Sequence, residues 1–394
     1  DGAGIGTKVF LFYFLCFHTL YLKSISKQKG KFALEKIRYG LIGCGRISPN
    51  HVAAAVHHAD NLAFVAMCDL LEERMEQKKR FITDGQSPRF YQDYHEMLRM
   101  EKPELVAIAT DSGKHFSIAM TCMDAGCNVI VEKPLALSMD DARSLVNKAK
   151  EKGVKLCTCH QNRFNKSIQQ IRSAYEQNRF GKMLYGTAHI RWNRSEDYYK
   201  QAPWRGTWAS DGGALMNQCI HNIDLLRWMM GDEVDEVFAL TDRLMHPYIE
   251  AEDLGLALVR FKNGSYGVIE GTTNIYPHNL EETLYLFGST GTVKAGGKSV
   301  NTIEEWTFAD DENDSQTVKD EFCENPPNVY GFGHKPLYGD MIRAIREDRN
   351  PYVDGEAGLR AVEMVLAIYL SAATGKPVKL PLEHCSTLDF VGRF

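Results

Sequence analysis

In the first half of the chain, apolar positions fall in short runs, each followed by a stretch with helical spacing. Ile37–Ile42 leads into an alanine-rich segment at His51–Val56, and Ala63–Cys68 leads into a charged helix over Leu71–Ile82. A short helix at Asp93–Met100 precedes the run Leu105–Ala109, and a helix at His115–Ala125 ends at Gly126 before the run Cys127–Val131. A helix over Ser138–Lys152 precedes Val154–Cys159. Ser138 stands at its N-cap, with Asp140 and Asp141 in the first turn, where side-chain oxygens meet free backbone N–H groups. Apolar runs alternating with amphipathic helices predict a doubly wound parallel sheet covered on both faces, over residues 36–158.

Beyond residue 158 the period changes. After a helix at Ser167–Gln177 come longer strand-like runs at Met183–Trp192, Val234–Met245, Leu254–Phe261, Ser265–Gly271, Thr283–Phe287 and Thr292–Ala295. Asn263-Gly264 between two of them is a hairpin-turn pair. One helix, Ala214–Met230, stands before the later strands, Ala309–Gln316 reads as an acidic loop, and helices at Leu337–Glu347 and Gly355–Ala373 follow. The last is long enough to pack back on the sheet or toward the first domain. The expectation is an α/β chain whose second domain, residues 159–394, is α+β with a largely antiparallel sheet. Residues 1–35 read as a leader outside the fold. Their apolar stretch, Val9–Leu22, is shorter than the roughly 20 residues a membrane span needs. The alternative is an anchor through residues 9–22.

Composition narrows the partners. At 394 residues, 44% hydrophobic and 25% charged, the chain suits two soluble domains. A net charge of −5 gives no electrostatic case for nucleic acid or an anionic membrane. The ten cysteines lack paired metal spacing. Cys157 and Cys159 share one face of a strand, but no second ligand pair accompanies them, so no metal site is expected. Buried unpaired thiols fit a reducing, cytoplasmic compartment.

The first candidate chemistry follows the first run: Gly43-x-Gly45-x-x-Ser48, a strand, a tight turn and a helix start. This geometry holds a dinucleotide pyrophosphate against free N–H groups. Asp69 ends the second run, placed to take the adenosine ribose hydroxyls, and its charge favours NAD over NADP. Arg74 leaves NADP open, since a guanidinium so close can reach a phosphate. Further expected cofactor contacts are Arg46 and Ile47 in the turn, then Thr110, His115, Glu132, Lys133 and Asn162 at or after later strand ends. Glu132-Lys133-Pro134 ends a buried run, where the nicotinamide half should lie. A lysine there is suited to proton transfer, and its bond to Pro134 is a candidate cis peptide. In a helix from Ala214, Asn217, His221 and Asp224 stand at i, i+4 and i+7 on one face. That stripe suits a relay, with His221 as base and Asp224 orienting it. The loop His160-Gln161-Asn162-Arg163-Phe164 offers polar groups to a sugar or to the nicotinamide amide.

Taken together, Gly43-x-Gly45-x-x-Ser48, Glu132-Lys133-Pro134, the His160–Arg163 loop and Gly212-Gly213-Ala214-Leu215-x-Asn217-x-x-x-His221-x-x-Asp224 resemble the glucose–fructose oxidoreductase / inositol dehydrogenase / rhizopine catabolism (Gfo/Idh/MocA) oxidoreductases. The resemblance runs from about Lys36 to the C-terminus. It implies a Rossmann domain followed by an α/β substrate domain, NAD(P), and carbohydrate or cyclitol substrates. It implies that Lys133 bonds the reacting oxygen and that His221 is the acid/base. Many relatives carry Asp where this chain has Asn217, and an amide cannot accept a proton. Met216-Asn217-Gln218-x-Ile220-His221 and Gly333-His334-x-x-x-Tyr338-Gly339-Asp340 are similar to the branch that includes UDP-N-acetylglucosaminuronate 3-dehydrogenases. Lys133, Arg163, Trp204, Arg205, Asn217, His221, Asp224 and His334 are the expected substrate contacts, with Tyr198 beside them. The expected activity is hydride transfer between a secondary alcohol of a sugar, cyclitol or nucleotide sugar and NAD, in a homo-oligomer, dimer or tetramer. The alternatives are a non-catalytic dinucleotide or sugar sensor and a dihydrodiol-type dehydrogenase.

Overall fold

Strand β1 (Ile37–Ile42) is almost wholly buried, and the next elements wind around it. The computed structural model describes residues 35–231, 233–310 and 315–394. The leader segment 9–22 lies outside the described residues. Helix α1 (Ser48–His57) follows β1, then β2 (Leu62–Cys68), α2 (Glu72–Lys79), β3 (Arg89–Tyr91), α3 (Tyr94–Glu101) and β4 (Leu105–Ile108). Helix α4 (His115–Asp124), β5 (Asn128–Glu132), α5 (Met139–Lys152) and β6 (Leu156–Cys159) complete the series. The six strands pair in parallel in the order β3-β2-β1-β4-β5-β6. The order reverses beside β1, the place where such sheets open a crevice at their carboxyl ends. The caps follow local chemistry: Asp93 accepts from the His95 N–H before α3, and Ser138 from the Asp141 N–H before α5. The three-residue strand β3 is too short to show a period and was not expected.

Helix α6 (Lys166–Glu176), β7 (Met183–Arg191) and α7 (Glu196–Lys200) follow. Next come a π-turn at Leu215–Cys219 and α8 (Ile220–Met229). The remaining strands are β8 (Val234–Asp242), β9 (Leu254–Phe261), β10 (Tyr266–Thr272), β11 (Glu281–Gly288), β12 (Gly291–Gly296) and β13 (Thr302–Phe308). Helices α9 (Ser315–Glu321), α10 (His334–Arg346) and α11 (Gly355–Thr374) precede β14 (Val378–Lys379). The second sheet runs β13-β12-β11-β7-β10-β9-β8-β14 and is antiparallel except for β7 with β10.

Three expectations for this half need correction. Strand β8 ends at Asp242, not at Met245, because the Asp253 carboxylate accepts the N–H groups of Leu244, Met245 and His246 and turns that backbone into a loop. The expected loop 309–316 gives way to α9 at Ser315. Strand β13 was unexpected because its alternation is broken: Lys294 pairs with Glu305 and Ala295 with Ile303, which leaves Glu304 as a bulge.

Helix α11 is long and apolar because it is covered on several sides, against β8, α5 and α8. Val362, Val365, Leu366 and Ile368 are fully buried.

Candidate active site

A cleft of about 1040 Å³ opens at the carboxyl ends of β1, β2, β4 and β5 and continues to the π-turn and the segment 192–205. Its floor is the glycine turn. Gly43 has φ +93°, and a side chain there would strike the Ala109 backbone at 2.5 Å. A side chain on Gly45 would meet nothing within 4 Å, so its bare backbone faces open space. Ser48 turns inward and its hydroxyl donates to Gly45 O at 2.8 Å. No side chain caps the start of α1, and Arg46 and Ile47 line the cleft there. An uncapped helix N-terminus over an open glycine suits a pyrophosphate. Asp69 lies beside it, accepting from Cys44 N–H at 2.8 Å and Leu71 N–H at 3.0 Å, with Arg74 at 3.8 Å. Thr110 also lines the cleft. The residues present therefore fit a dinucleotide.

At the far end β5 delivers Glu132 and Lys133, and the Lys133–Pro134 bond is cis. The Lys133 ammonium is half-buried and donates to Asn217 O at 2.7 Å and Asn217 Oδ1 at 3.2 Å. Burial pulls its pKa below the usual lysine value, opposed by the charges of Glu132 and Asp211. His221 lines the same cleft. Burial, then the Lys133 charge, holds its imidazole well below the usual range, which keeps it neutral. Its Nδ1 is buried without a partner among the described residues, and its ring meets His160 edge-on at 5.6 Å.

Behind Lys133 the Glu132 carboxylate is 2.9 Å from His51 Nε2 and 3.5 Å from His334 Nε2. Burial alone would raise this carboxyl, but His334 and His51 outweigh it and hold it well below its usual value. His51, Glu132, Cys159 and His334 lie within 4.8 Å of one another. Both His51 nitrogens are engaged, since its Nδ1 pairs with Tyr338 Oη at 2.8 Å, and Tyr338 in turn meets Tyr39 at 2.8 Å. The cluster is a hydrogen-bonded support for Glu132 rather than an open ligand set.

Several expected contacts lie elsewhere. Asp224 does not orient His221. Arg163 grips it through two bonds of 2.6–2.7 Å, because a buried carboxylate needs a full countercharge that a neutral imidazole cannot supply. Arg163, also stacked on Trp228 at 4.6 Å, is thereby withdrawn from the cleft. The predicted single helical face is interrupted by the π-turn, which carries Asn217. Asn162 donates to Glu282 at 3.2 Å and accepts from Ser299 at 3.3 Å, so it is buried away from the cleft, and Gln161 faces it instead. His115 is buried, with Nδ1 donating to Pro134 O at 2.7 Å. His334 packs under Glu132 and is absent from the cleft wall.

Trp204 and Arg205 do line the cleft. With them stand Trp192, Arg194, Gln218 and Tyr330, which the sequence did not single out. Arg46, Arg194 and Arg205 lie over one ring, that of Tyr198, at 5.9, 5.1 and 4.3 Å from its centroid. Arg205 and Gln218 also donate to the Tyr198 hydroxyl, at 2.6 and 3.0 Å. Among the described residues none of these three guanidiniums pairs with a carboxylate. No motif signals this group, because its members come from three separate segments.

The glycine turn, the β5 lysine and the imidazole on one cleft define a nicotinamide-dependent oxidoreductase. The chain belongs to the Gfo/Idh/MocA oxidoreductase family: residues 37–160 match its NAD-binding Rossmann fold and residues 172–380 its C-terminal alpha/beta domain. It is similar to the WlbA dehydrogenase from Bordetella pertussis, solved in complex with NADH and UDP-GlcNAcA. Identity is 38% over 89% of this chain and 99% of that one, with a TM-score of 0.80. It is 27% identical to the myo-inositol 2-dehydrogenase of Thermotoga maritima, over 87% of this chain and 98% of that one. It is 23% identical to the D-glucoside 3-dehydrogenase of Escherichia coli, over 90% and 100%.

Proposed function

We propose that this protein oxidises a secondary alcohol on the ring of a negatively charged nucleotide sugar, with NAD as cofactor. One observation carries the reading: Lys133, Asn217 and His221 share a cleft with Arg194 and Arg205, neither of which forms an ion pair with a carboxylate among the described residues. Cations left unpaired in a cleft attract an anion, and a nucleotide diphosphate, or a sugar carboxylate, meets that need. Likeness to a dehydrogenase solved with UDP-GlcNAcA supports the same class.

Gly43, Gly45, Arg46, Ile47, Asp69 and Thr110 would hold the dinucleotide. Bound there, the dinucleotide would supply the hydride acceptor for the carbinol carbon. Lys133 donates to the carbinol oxygen and stabilises its growing negative charge. Neutral His221 takes the hydroxyl proton. Asn217 holds Lys133 in place. Residues 36–158 serve the dinucleotide and 159–394 the substrate. The free cysteines support a reducing, cytoplasmic setting.

We further propose a homo-oligomer. The second sheet exposes Phe238, Leu240, Leu256, Leu258 and Tyr266 from neighbouring strands, and an apolar patch of this kind suits a second copy of the chain.

The test is dinucleotide reduction, followed by absorbance, with UDP-sugar acids, neutral UDP-sugars and free sugars. Turnover is expected with the charged nucleotide sugars. A marked preference for free neutral sugars would refute the anionic reading.

A further inference from the structure

Lys133 is held by Asn217, and Asn217 is held in turn. An ammonium has three N–H donors. Two of those on Lys133 reach Asn217 oxygens, at 2.7 and 3.2 Å, which leaves one for the cleft. Asn217 can show Oδ1 to Lys133 only while its NH₂ points the other way. There the NH₂ donates to Asp211 Oδ1. The second oxygen, Asp211 Oδ2, accepts from Gly206 N–H at 2.7 Å. Asp211 is 1% exposed and immediately precedes Gly212 and Gly213, whose φ angles of +80° and +95° turn the chain into the π-turn.

We propose that Asp211 is a positioning residue that locks the Asn217 amide with its oxygen toward Lys133 and so aims the one remaining Lys133 N–H at the substrate oxygen. The proposal rests on the reading of Lys133 as donor to that oxygen. It also explains the amide at position 217. A carboxylate there would face Asp211 at hydrogen-bond distance, and two acids so placed must share a proton. Burial pushes the Asp211 carboxyl up to about 6, opposed by Asn217, the Gly206 N–H, Arg205 and Lys133. The charged and titratable groups facing it are Arg205 on its own loop, Lys133 at the end of β5, Glu252, and Tyr199 on α7. Protonation of Asp211 below that pH removes an acceptor from Asn217 and loosens Lys133.

The test compares Asp211→Asn, Asn217→Asp and the double exchange with the unaltered protein. It reads kcat and KM against pH, reduced-dinucleotide affinity by fluorescence, and the urea midpoint of the ligand-free protein. Asp211→Asn is isosteric but leaves one acceptor for two donors, and with its oxygen kept on the Gly206 N–H it presents an NH₂ to Asn217. Asn217 must then flip and turn its own NH₂ on Lys133. The expected result is a loss of about tenfold or more in kcat with dinucleotide affinity within about twofold, and an acid limb near pH 6 that moves. In Asn217→Asp the acid limb moves upward. The double exchange puts a carboxylate on Lys133 with an amide behind it, and both kcat and the urea midpoint recover most of their loss. Unaltered kcat and acid limb in Asp211→Asn, or no recovery in the double exchange, would overturn the proposal. Lys133→Met separates the two readings. If it is inactive while Asp211→Asn is unaffected, the role of Asp211 alone fails; if it is active, the reading of Lys133 fails as well.

Discussion

Arg163 and Asp224 form a buried two-point ion pair, with bonds of 2.7 and 2.6 Å, between the turn after β6 and helix α8. Burial would raise the Asp224 carboxyl, but Arg163, His160 and Arg227 outweigh it and hold it far below its usual value. The pair thus ties the end of the parallel sheet to the helix that carries His221. Arg163→Met leaves a buried carboxylate with half its countercharge and should cost about 3–5 kcal/mol. Urea unfolding measures this, and a loss under about 1 kcal/mol would mean that Arg227 suffices.

Lys133→Ala and His221→Asn should each lower kcat by about 10²–10⁴-fold, while dinucleotide affinity changes little. Steady-state kinetics and a fluorescence titration separate the two effects. A purely structural histidine at 221 would instead lower stability and leave kcat per folded molecule intact.

Asp69 keeps its carboxylate in the cleft through the Cys44 and Leu71 N–H groups, with Arg74 at 3.8 Å. The unaltered protein should have the higher kcat/KM with NAD. Asp69→Ser removes the charge that repels a 2′-phosphate and leaves Arg74 to attract it, which shifts the ratio toward NADP by about tenfold or more. An unchanged ratio would show that Asp69 does not meet the ribose.

Glu282 is buried, and burial pushes its carboxyl up to about 8 against the pull of Arg194 and Asn162. A carboxyl raised in the fold contributes fully below its unfolded pKa. Above that, the unfolded chain releases the proton first, so stability falls with pH until the folded carboxyl ionises too, near 8. Glu282→Gln has no proton to lose. Its stability relative to the unaltered protein should therefore rise from pH 5 to pH 8, by up to ~1.4 kcal/mol per pH unit. Parallel stability curves would mean that the carboxylate is charged inside the fold.

Leu258 is 58% exposed in the apolar patch on β8, β9 and β10. Leu258→Asp puts a charge at its middle. Sedimentation should show a smaller assembly for the variant than for the unaltered chain, with the fold unchanged by circular dichroism. Equal masses would place the interface elsewhere.

Much of the fold is written in local pattern. The β1 to β6 series was legible because parallel strands buried on both faces make unbroken apolar runs, and because Asp93 and Ser138 cap their own helices. Strand β13 was hidden by a bulge, and β8 was cut short by Asp253, whose partners lie seven to nine positions away. At the site, Lys133, Asn217 and His221 stood out because each sits in a recognisable run. Asp211 did not, because its partner Asn217 lies beyond two glycines of positive φ and inside a π-turn, geometry that no helical spacing anticipates.

By itself the sequence determined the class of chemistry: a glycine turn where a side chain cannot fit, an acid after the second strand, a lysine at a strand end, and a histidine in a helix. These depend on backbone geometry and neighbouring residues, so they can be read locally. The tertiary structure alone decided which charges neutralise one another. It withdrew Arg163 and Asp224 into a buried pair, drew His334 under Glu132, and gathered Arg46, Arg194 and Arg205 around Tyr198 without a carboxylate. Charge compensation is a matter of distance in space, and residues far apart in the chain meet only once both sheets are assembled.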